Sequence, residues 1–253
     1  MKINIYVATH KIVDNPLPKN YHYMLVNANG KDNIYEYADN TLDNISNKNP
    51  NYCELTCGYW IWKNDKTSDV VGLAHYRRIL THNKFSSSIK SYVNEKQIER
   101  DLKTYDFIST KLHDPLINIR SHIIRGNVRE CDLEKLEETI KEVCPDYLDT
   151  YHEVLSGRKS YLLNMLITTK EQFDLYYEWL FNILTHLETK VDMSGYNDQE
   201  KRLYGYLAER LFTVYVFKNK FRVKSYPTCI VGASKIQLIW DKILLKLRIR
   251  KRK

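Results

Sequence analysis

Three apolar runs restrict the folds open to this chain of 253 residues. Residues 2–8 (KINIYVA), 69–75 (DVVGLAH) and 161–168 (YLLNMLIT) are rich in Ile, Val, Leu and Tyr and are bounded by polar or turn-forming residues. Runs of that length and composition read as strands buried in a sheet. Residues 105–109 add a shorter one. Helical patterns lie between and after them, over residues 53–64, 95–104, 132–144 with a shorter helix to about 155, 170–188, and 198–219. Strands alternating with helices, then helices alone, predict an α/β domain with a helical C-terminal section. Residues 12–52, with Pro16, Pro18 and Asn29-Gly30, read as loops around short elements, and residues 110–130 as a mobile loop over the site.

The formal charge of +8 at pH 7 raises nucleic acid as a partner, but its distribution argues otherwise. Residues 235–253 hold eight basic side chains and one acid, +7, whereas the other 234 residues hold 31 basic and 30 acidic ones, +1. A body that tracks a phosphate backbone needs a basic face, so no nucleic-acid partner is expected. In the tail, Ile236, Trp240, Ile243 and Leu247 recur at helical spacings, with Ile239 and Leu244 widening the stripe. Such a stripe beside clustered cations describes a helix lying on an anionic membrane surface, with a last helix packed on the core and followed by a frayed basic end as the alternative. The expected division is a domain over 1–233 and a basic amphipathic tail over 234–253.

Five cysteines (Cys53, Cys57, Cys131, Cys144 and Cys229) match neither a disulfide framework nor a zinc spacing, and read as reduced packing residues. The N-terminus turns polar too soon for a secretion signal, and no run of 18 apolar residues follows. The expectation is a cytoplasmic protein held peripherally at the inner face of the membrane by its tail. Its 20 tyrosines, against 7 phenylalanines, suit either sugar and base binding or a tyrosine-rich core.

Chemistry concentrates in residues 49–78, NPNYCELTCGYWIWKNDKTSDVVGLAHYRR. A buried strand that ends in His75-Tyr76-Arg77-Arg78 sets cationic donors at a crevice edge, because ligands of open α/β sheets meet the carboxyl ends of the strands. Guanidinium groups grip phosphate oxygens bidentately, so the arrangement suits a pyrophosphate. By the same rule Thr9, His10 and Lys11, which close the first strand, should meet a base or pyrophosphate. Alternation along a strand puts His75 and Arg77 on one face and Tyr76 and Arg78 on the other. Trp60 and Trp62 read as core residues of their helix.

Several segments resemble one family of bacterial capsular and exopolysaccharide glycosyltransferases. They are Asn44-Ile45-Ser46, Asn49-Pro50-Asn51-Tyr52-Cys53-Glu54-Leu55-Thr56, Tyr59-Trp60-x-Trp62-Lys63-Asn64 and Val71-Gly72-Leu73-x-His75-Tyr76-Arg77-Arg78. The likeness continues in Leu163-Asn164-Met165, in Glu178-Trp179-Leu180-Phe181-x-Ile183-Leu184 and in Gly205-Tyr206-Leu207-Ala208-Glu209-Arg210-Leu211, and so covers residues 1 to about 220. It implies a GT-A-like nucleotide-sugar-binding sheet flanked by helices. It also implies transfer of a hexose, with galactose or galactofuranose from a UDP donor as the first expectation, to a lipid-linked or glycan acceptor. Residues 123–131, where the family shows a histidine-rich stretch, depart from the pattern on the expected acceptor side.

Many GT-A enzymes carry an Asp-x-Asp that holds a divalent ion against the diphosphate, and this chain has none. His75 and Arg77 stand in its place, so no cofactor and no divalent metal are expected, and Arg78 is expected in a structural ion pair. Asn44, Tyr52, Glu54, Tyr76 and Arg78 complete the expected donor site, with Asn164 as a sugar contact because a buried amide needs a partner. Asp198 and Glu209 are the options for a carboxylate that deprotonates the acceptor, although Asp198-Gln199-Glu200 also reads as a helix cap. The lack of Asp-x-Asp equally suits a non-catalytic, membrane-associated nucleotide-sugar-binding protein.

Overall fold

The computed structural model describes residues 1–83, 86 and 88–231. The expected basic tail lies outside the described residues. The strands are β1 (Ile3–Thr9), β2 (Tyr21–Leu25), β3 (Tyr37–Ala38), β4 (Val70–His75), β5 (Arg78–Leu80), β6 (Phe107–Thr110), β7 (Leu166–Thr169), β8 (Val223–Tyr226) and β9 (Thr228–Ile230). The helices are α1 (Asn49–Tyr52), α2 (Leu55–Asn64), α3 (Glu95–Asp101), α4 (Ile119–Gly126), α5 (Glu130–Val143), α6 (Leu148–Ser156), α7 (Lys170–Glu188) and α8 (Leu203–Lys218).

One mixed sheet runs β3-β2-β1-β4-β7-β6-β8, with β5 on β4 and β9 on β5. β1 pairs in parallel with both β2 and β4, while β7 is antiparallel to its neighbours β4 and β6. β6 therefore runs in the same sense as β4. The chain goes from β1 to β2 and β3 on one side, then returns to place β4 on the other, so strand order reverses between β1 and β4.

Alternation along each strand sends side chains to two cores. Tyr6, Ala8, Val71, Leu73, Phe107 and Leu166 join the large core beneath α2 and α5–α8, whereas Ile5, Val7, Val70, Ala74, Ile108 and Ile167 join a smaller one with Ile98 of α3. α7 packs on the large core through Phe173, Tyr176, Tyr177, Leu180, Phe181, Ile183, Leu184 and Leu187, a stripe of helical period that begins at the Thr169 cap. Truncating one such residue, Leu180→Ala for example, costs about 2–5 kcal/mol. Gly58 of α2 lets that helix approach α7, since a β-carbon there would run into the Tyr177 ring. Tyr6, Tyr52, Tyr151, Tyr176 and Tyr177 are all fully buried, so much of the tyrosine content builds the core. Trp60 is buried with its indole N–H on Thr41, and Trp62 is half-buried against Phe181, as read from their helix.

Residues 12–52 hold short elements between loops, as read, among them β2 and β3 at the edge of the sheet. Three expectations need correction. Residues 110–130 are not wholly a loop: α4 forms there, capped by Asn118 and anchored by Ile119 and Ile123 one turn apart. β7 begins only at Leu166, which leaves Asn164 in the turn before it. Helix α8 starts at Leu203, after a short 3-10 turn at Glu200–Arg202. The cysteines are free, as expected, although Cys131 is exposed. No helix among the described residues is long and apolar enough to cross a membrane.

Candidate active site

The β1/β4 register sets Ala8 opposite His75, which brings the two carboxyl ends side by side at the point where strand order reverses. Open α/β sheets bind ligands at such a switch point. A cleft of about 640 Å³ lies there, walled by these strand ends, by the α1–α2 junction and by the segment entering α8. β7 runs the other way, so the turn that precedes it reaches the same edge, and His75 Nε2 donates to the Leu163 carbonyl at 2.6 Å.

His75 and Arg78 are paired in register across an antiparallel hairpin, and Tyr76 and Arg77 are the two residues of its turn. The expected alternation therefore stops at His75, and all four side chains line the cleft. Tyr76 organises this wall. Its hydroxyl accepts from Arg77 Nε at 2.7 Å, the His10 ring meets it edge-on at 5.2 Å, and Lys11 Nζ stands 5.6 Å from its centre. Partial burial, then the charges of Arg77, Lys31, Lys11 and Arg202, holds the His10 imidazole below the usual histidine range. Arg78 makes no ion pair among the described residues, contrary to expectation: it is exposed at the cleft rather than packed against a carboxylate.

The facing wall is built by the α1–α2 junction. Pro50 sits in the first turn of α1, and Cys53 ends the helix in a left-handed conformation at φ 54°. Asn49 holds this kink by donating to the Cys53 carbonyl and to Thr56 Oγ1. Burial pushes the Cys53 thiol up to about 11, and Arg202 Nε approaches its sulfur at 3.2 Å. Glu54 follows directly, with a side chain 12% exposed. Its Oε1 accepts from Asn164 Nδ2 at 2.7 Å and lies 3.9 Å from His75 Nε2.

Behind this wall, Leu163 and Asn164 are both left-handed, at φ 79° and 49°. Such residues cost roughly 1–2 kcal/mol each and persist only where the surroundings impose them. The surroundings here are Glu209, whose Oε1 accepts from Leu163 N–H at 2.7 Å, and the Gly205 carbonyl, which accepts from Asn164 Nδ2 at 3.0 Å. Glu209 is ion-paired with Arg210; burial pushes its carboxyl up while Arg210 opposes the shift.

Of the residues singled out by sequence, His10, Glu54, His75, Tyr76, Arg77, Arg78 and Asp198 line the cleft. Asn164 and Glu209 stand behind it rather than in it, because the turn they hold precedes β7. Four others do not meet there. Thr9 is 1% exposed and its hydroxyl donates to the Lys11 carbonyl, so it closes the strand. Lys11 lies over Tyr76 outside the lining. Asn44 is exposed and caps its own turn through Leu42 and Ser46. Tyr52 is 1% exposed between Phe181 and Tyr204, with its hydroxyl on Glu188. Glu200 is bound to Arg129 and to the Asn197 N–H, as a local cap would be.

Sequence reading missed Asn27, Lys31, Asn49, Cys53, Lys201 and Arg202 in the lining. Lys201 and Arg202 sit where a helix start was expected, and only the packing of α8 brings them to the cleft. Asn27 lies on a loop tied down by fully buried Asp39, which accepts from the Asn27 and Ala28 N–H groups and from the Ser46 and Thr56 hydroxyls.

Five cationic side chains (Lys31, Arg77, Arg78, Lys201, Arg202) share the lining with two carboxylates, Glu54 and Asp198. Such a surface suits an anion with two or more phosphates. It does not fit a divalent cation, which needs several oxygen ligands and few competing positive charges.

A family model described as Domain of unknown function (DUF4422) matches residues 4–220. Among solved structures, that of WbbM, a bifunctional glycosyltransferase in its apo form, superposes with a TM-score of 0.85 at 31% sequence identity. The likeness covers 92% of this chain and 46% of that one, so the chain spans about half the length of the protein it matches. No curated protein matches the chain. The helix-flanked sheet is thus a GT-A-like fold.

Proposed function

We propose, from the premise that the chain belongs to the family described as Domain of unknown function (DUF4422), that it is a glycosyltransferase acting on a nucleoside diphosphate sugar. The observation that carries this reading is the cationic cleft at the β1/β4 switch point, in a fold shared with a bifunctional glycosyltransferase. Arg77, with Lys201 and Arg202, would neutralise the diphosphate as it leaves, and His10, His75, Tyr76 and Arg78 would complete the donor site. A preorganised positive charge aimed at a leaving group is commonly the largest single term in such catalysis. These guanidinium and ammonium groups take the place of a metal, so activity should persist in chelator.

The finer assignment is transfer of a hexose from a UDP donor, galactose or galactofuranose first, to a lipid-linked or glycan acceptor in surface-polysaccharide synthesis. It rests on the resemblance of residues 49–78 to capsular and exopolysaccharide enzymes. The basic stripe of residues 235–253 would rest the enzyme on the inner face of the membrane, where each cation near an anionic leaflet contributes about 1 kcal/mol. Sedimentation with anionic vesicles tests this: the full chain should pellet and a chain ending at Ala233 should not, whereas equal partitioning removes the tail as anchor.

The test of the activity is incubation of the pure protein with a panel of nucleotide sugars and glycan acceptors, recording nucleoside diphosphate release with and without chelator. Turnover of one donor class in both conditions supports the proposal. Saturable donor binding without release would favour a non-catalytic nucleotide-sugar-binding protein, the reading that the missing Asp-x-Asp also allows. Turnover abolished by chelator would remove the metal-independent assignment.

A further inference from the structure

We infer that Glu54 is the general base that takes the proton from the acceptor hydroxyl, and that Asn164 is its positioning residue; the inference rests on the glycosyltransferase reading. Three carboxylates compete for the role. Glu209 has one oxygen on the Leu163 N–H and the other on Arg210, and it stands behind the 163–164 turn, outside the cleft lining. Asp198 lines the cleft but is exposed at its rim, where water screens its charge and leaves its rotamer free. Glu54 alone is both in the lining and largely sequestered.

Its geometry is that of a held base. Oε1 is fixed by the Asn164 amide, and among the described residues Oε2 accepts no hydrogen bond, which leaves it available to a hydroxyl in the cleft. Glu54 is the residue that immediately precedes α2 (Leu55–Asn64). The amide that fixes it comes from two consecutive left-handed residues, and strain of that kind, once observed, points to a functional constraint. His75, on the Leu163 carbonyl, and Glu209, on the Leu163 N–H, hold the two peptides that flank Leu163 and so set where Asn164 points.

The step balances as follows. The acceptor O–H proton passes to Glu54 Oε2 while the acceptor oxygen bonds to the anomeric carbon. The bond from that carbon to the diphosphate oxygen breaks, and its electron pair leaves on the nucleoside diphosphate beside Arg77 and Arg202. Direct attack inverts the anomeric configuration. General base catalysis of this kind is worth about 10²–10⁴ in rate.

The experiment compares wild type, Glu54→Gln, Glu54→Asp and Asn164→Ala in donor turnover, nucleoside diphosphate affinity, melting temperature and product anomer. The inference expects Glu54→Gln to keep the affinity within about threefold and to lose about 10²–10⁴ in kcat together with the acid limb of its pH profile. Glu54→Asp should recover part of that loss, which decides the matter if the glutamine variant is poorly folded. Asn164→Ala should lower kcat and displace the acid limb, which loss of packing alone would not do. Wild-type turnover with an equally active Glu54→Gln overturns this assignment alone. So does a loss of affinity as large as the loss of kcat, or a product of retained configuration. A wild type that turns over no nucleotide sugar overturns the glycosyltransferase reading itself.

Discussion

Asn164 reaches across 110 residues of sequence to donate a 2.7 Å hydrogen bond to Glu54, and the same amide nitrogen binds the Gly205 carbonyl at 3.0 Å. One side chain thus joins the turn before β7, the start of α2 and the start of α8. Asn164→Ala would leave a buried carbonyl and a carboxylate oxygen without their donor, at about 1–3 kcal/mol. The expected fall in Tm is roughly 2–12 °C for a chain of this size. Asn164→Gly, free to adopt the left-handed backbone, should lose less. Thermal melts of the two variants check the order.

Arg77 is exposed at the tip of the β4–β5 hairpin, and among the described residues its side chain hydrogen-bonds only the neighbouring Tyr76 hydroxyl, so truncating that side chain should not disturb packing. Arg77→Lys keeps the charge and loses the planar fork. Turnover should drop by about 10–10³-fold, the scale of losing one charge-stabilising donor, with Tm unchanged. Steady-state kinetics beside a melt checks this, and undiminished turnover would remove Arg77 from the diphosphate site.

Gly58 and Tyr177 approach so closely that an added β-carbon must displace a fully buried ring. Gly58→Ala should therefore destabilise by about 1–3 kcal/mol despite alanine's better helix propensity. Denaturant unfolding should show a lower midpoint with an unchanged slope.

Asp65 links the end of α2 to β1 through the Tyr6 hydroxyl at 2.8 Å, the Ser68 hydroxyl at 2.6 Å and two backbone N–H groups. Burial alone would push its carboxyl up, but these four donors outweigh it and hold it below the usual aspartate range. A depressed folded-state value means stability that is present above the unfolded value and lost as pH falls through the folded one. Wild type should lose stability below about pH 4 more steeply than Asp65→Asn, which is weaker at neutral pH and flatter in acid. Melts from pH 3 to 7 provide the measurement.

Much of the frame was legible because it follows from periodicity. β1, β4 and α7 sit where apolar runs and a 3.6-residue stripe put them, and α7 matches its expected span of 170–188. β2 escaped because only three of its five residues are fully buried, and α4 because just Ile119 and Ile123 of its eight residues are buried. The crevice rule found His10 and the His75–Arg78 hairpin, since those residues follow strand ends directly. It could not find Lys201 and Arg202, which reach the cleft only because α8 packs beside α1, or Asn164's bond to Glu54, which depends on two left-handed residues. Tyr52 misled because a residue beside Cys53 and Glu54 in sequence points away from them, into the core.

The proposed function requires the cleft lined by Arg77 and Arg202 to take a nucleoside diphosphate. Calorimetric titration of UDP, with the other nucleoside diphosphates as comparators, into wild type and Arg77→Ala tests it most directly. Saturable binding is predicted, weakened at least tenfold in the variant and further by added salt, in line with about 1.5–3 kcal/mol for a charge-assisted contact. At a hundredfold excess over Kd the ligand should stabilise wild type by about 2.7 kcal/mol, or roughly 5–10 °C in Tm. Absence of binding by every nucleoside diphosphate, or equal affinity in wild type and variant, would contradict the account.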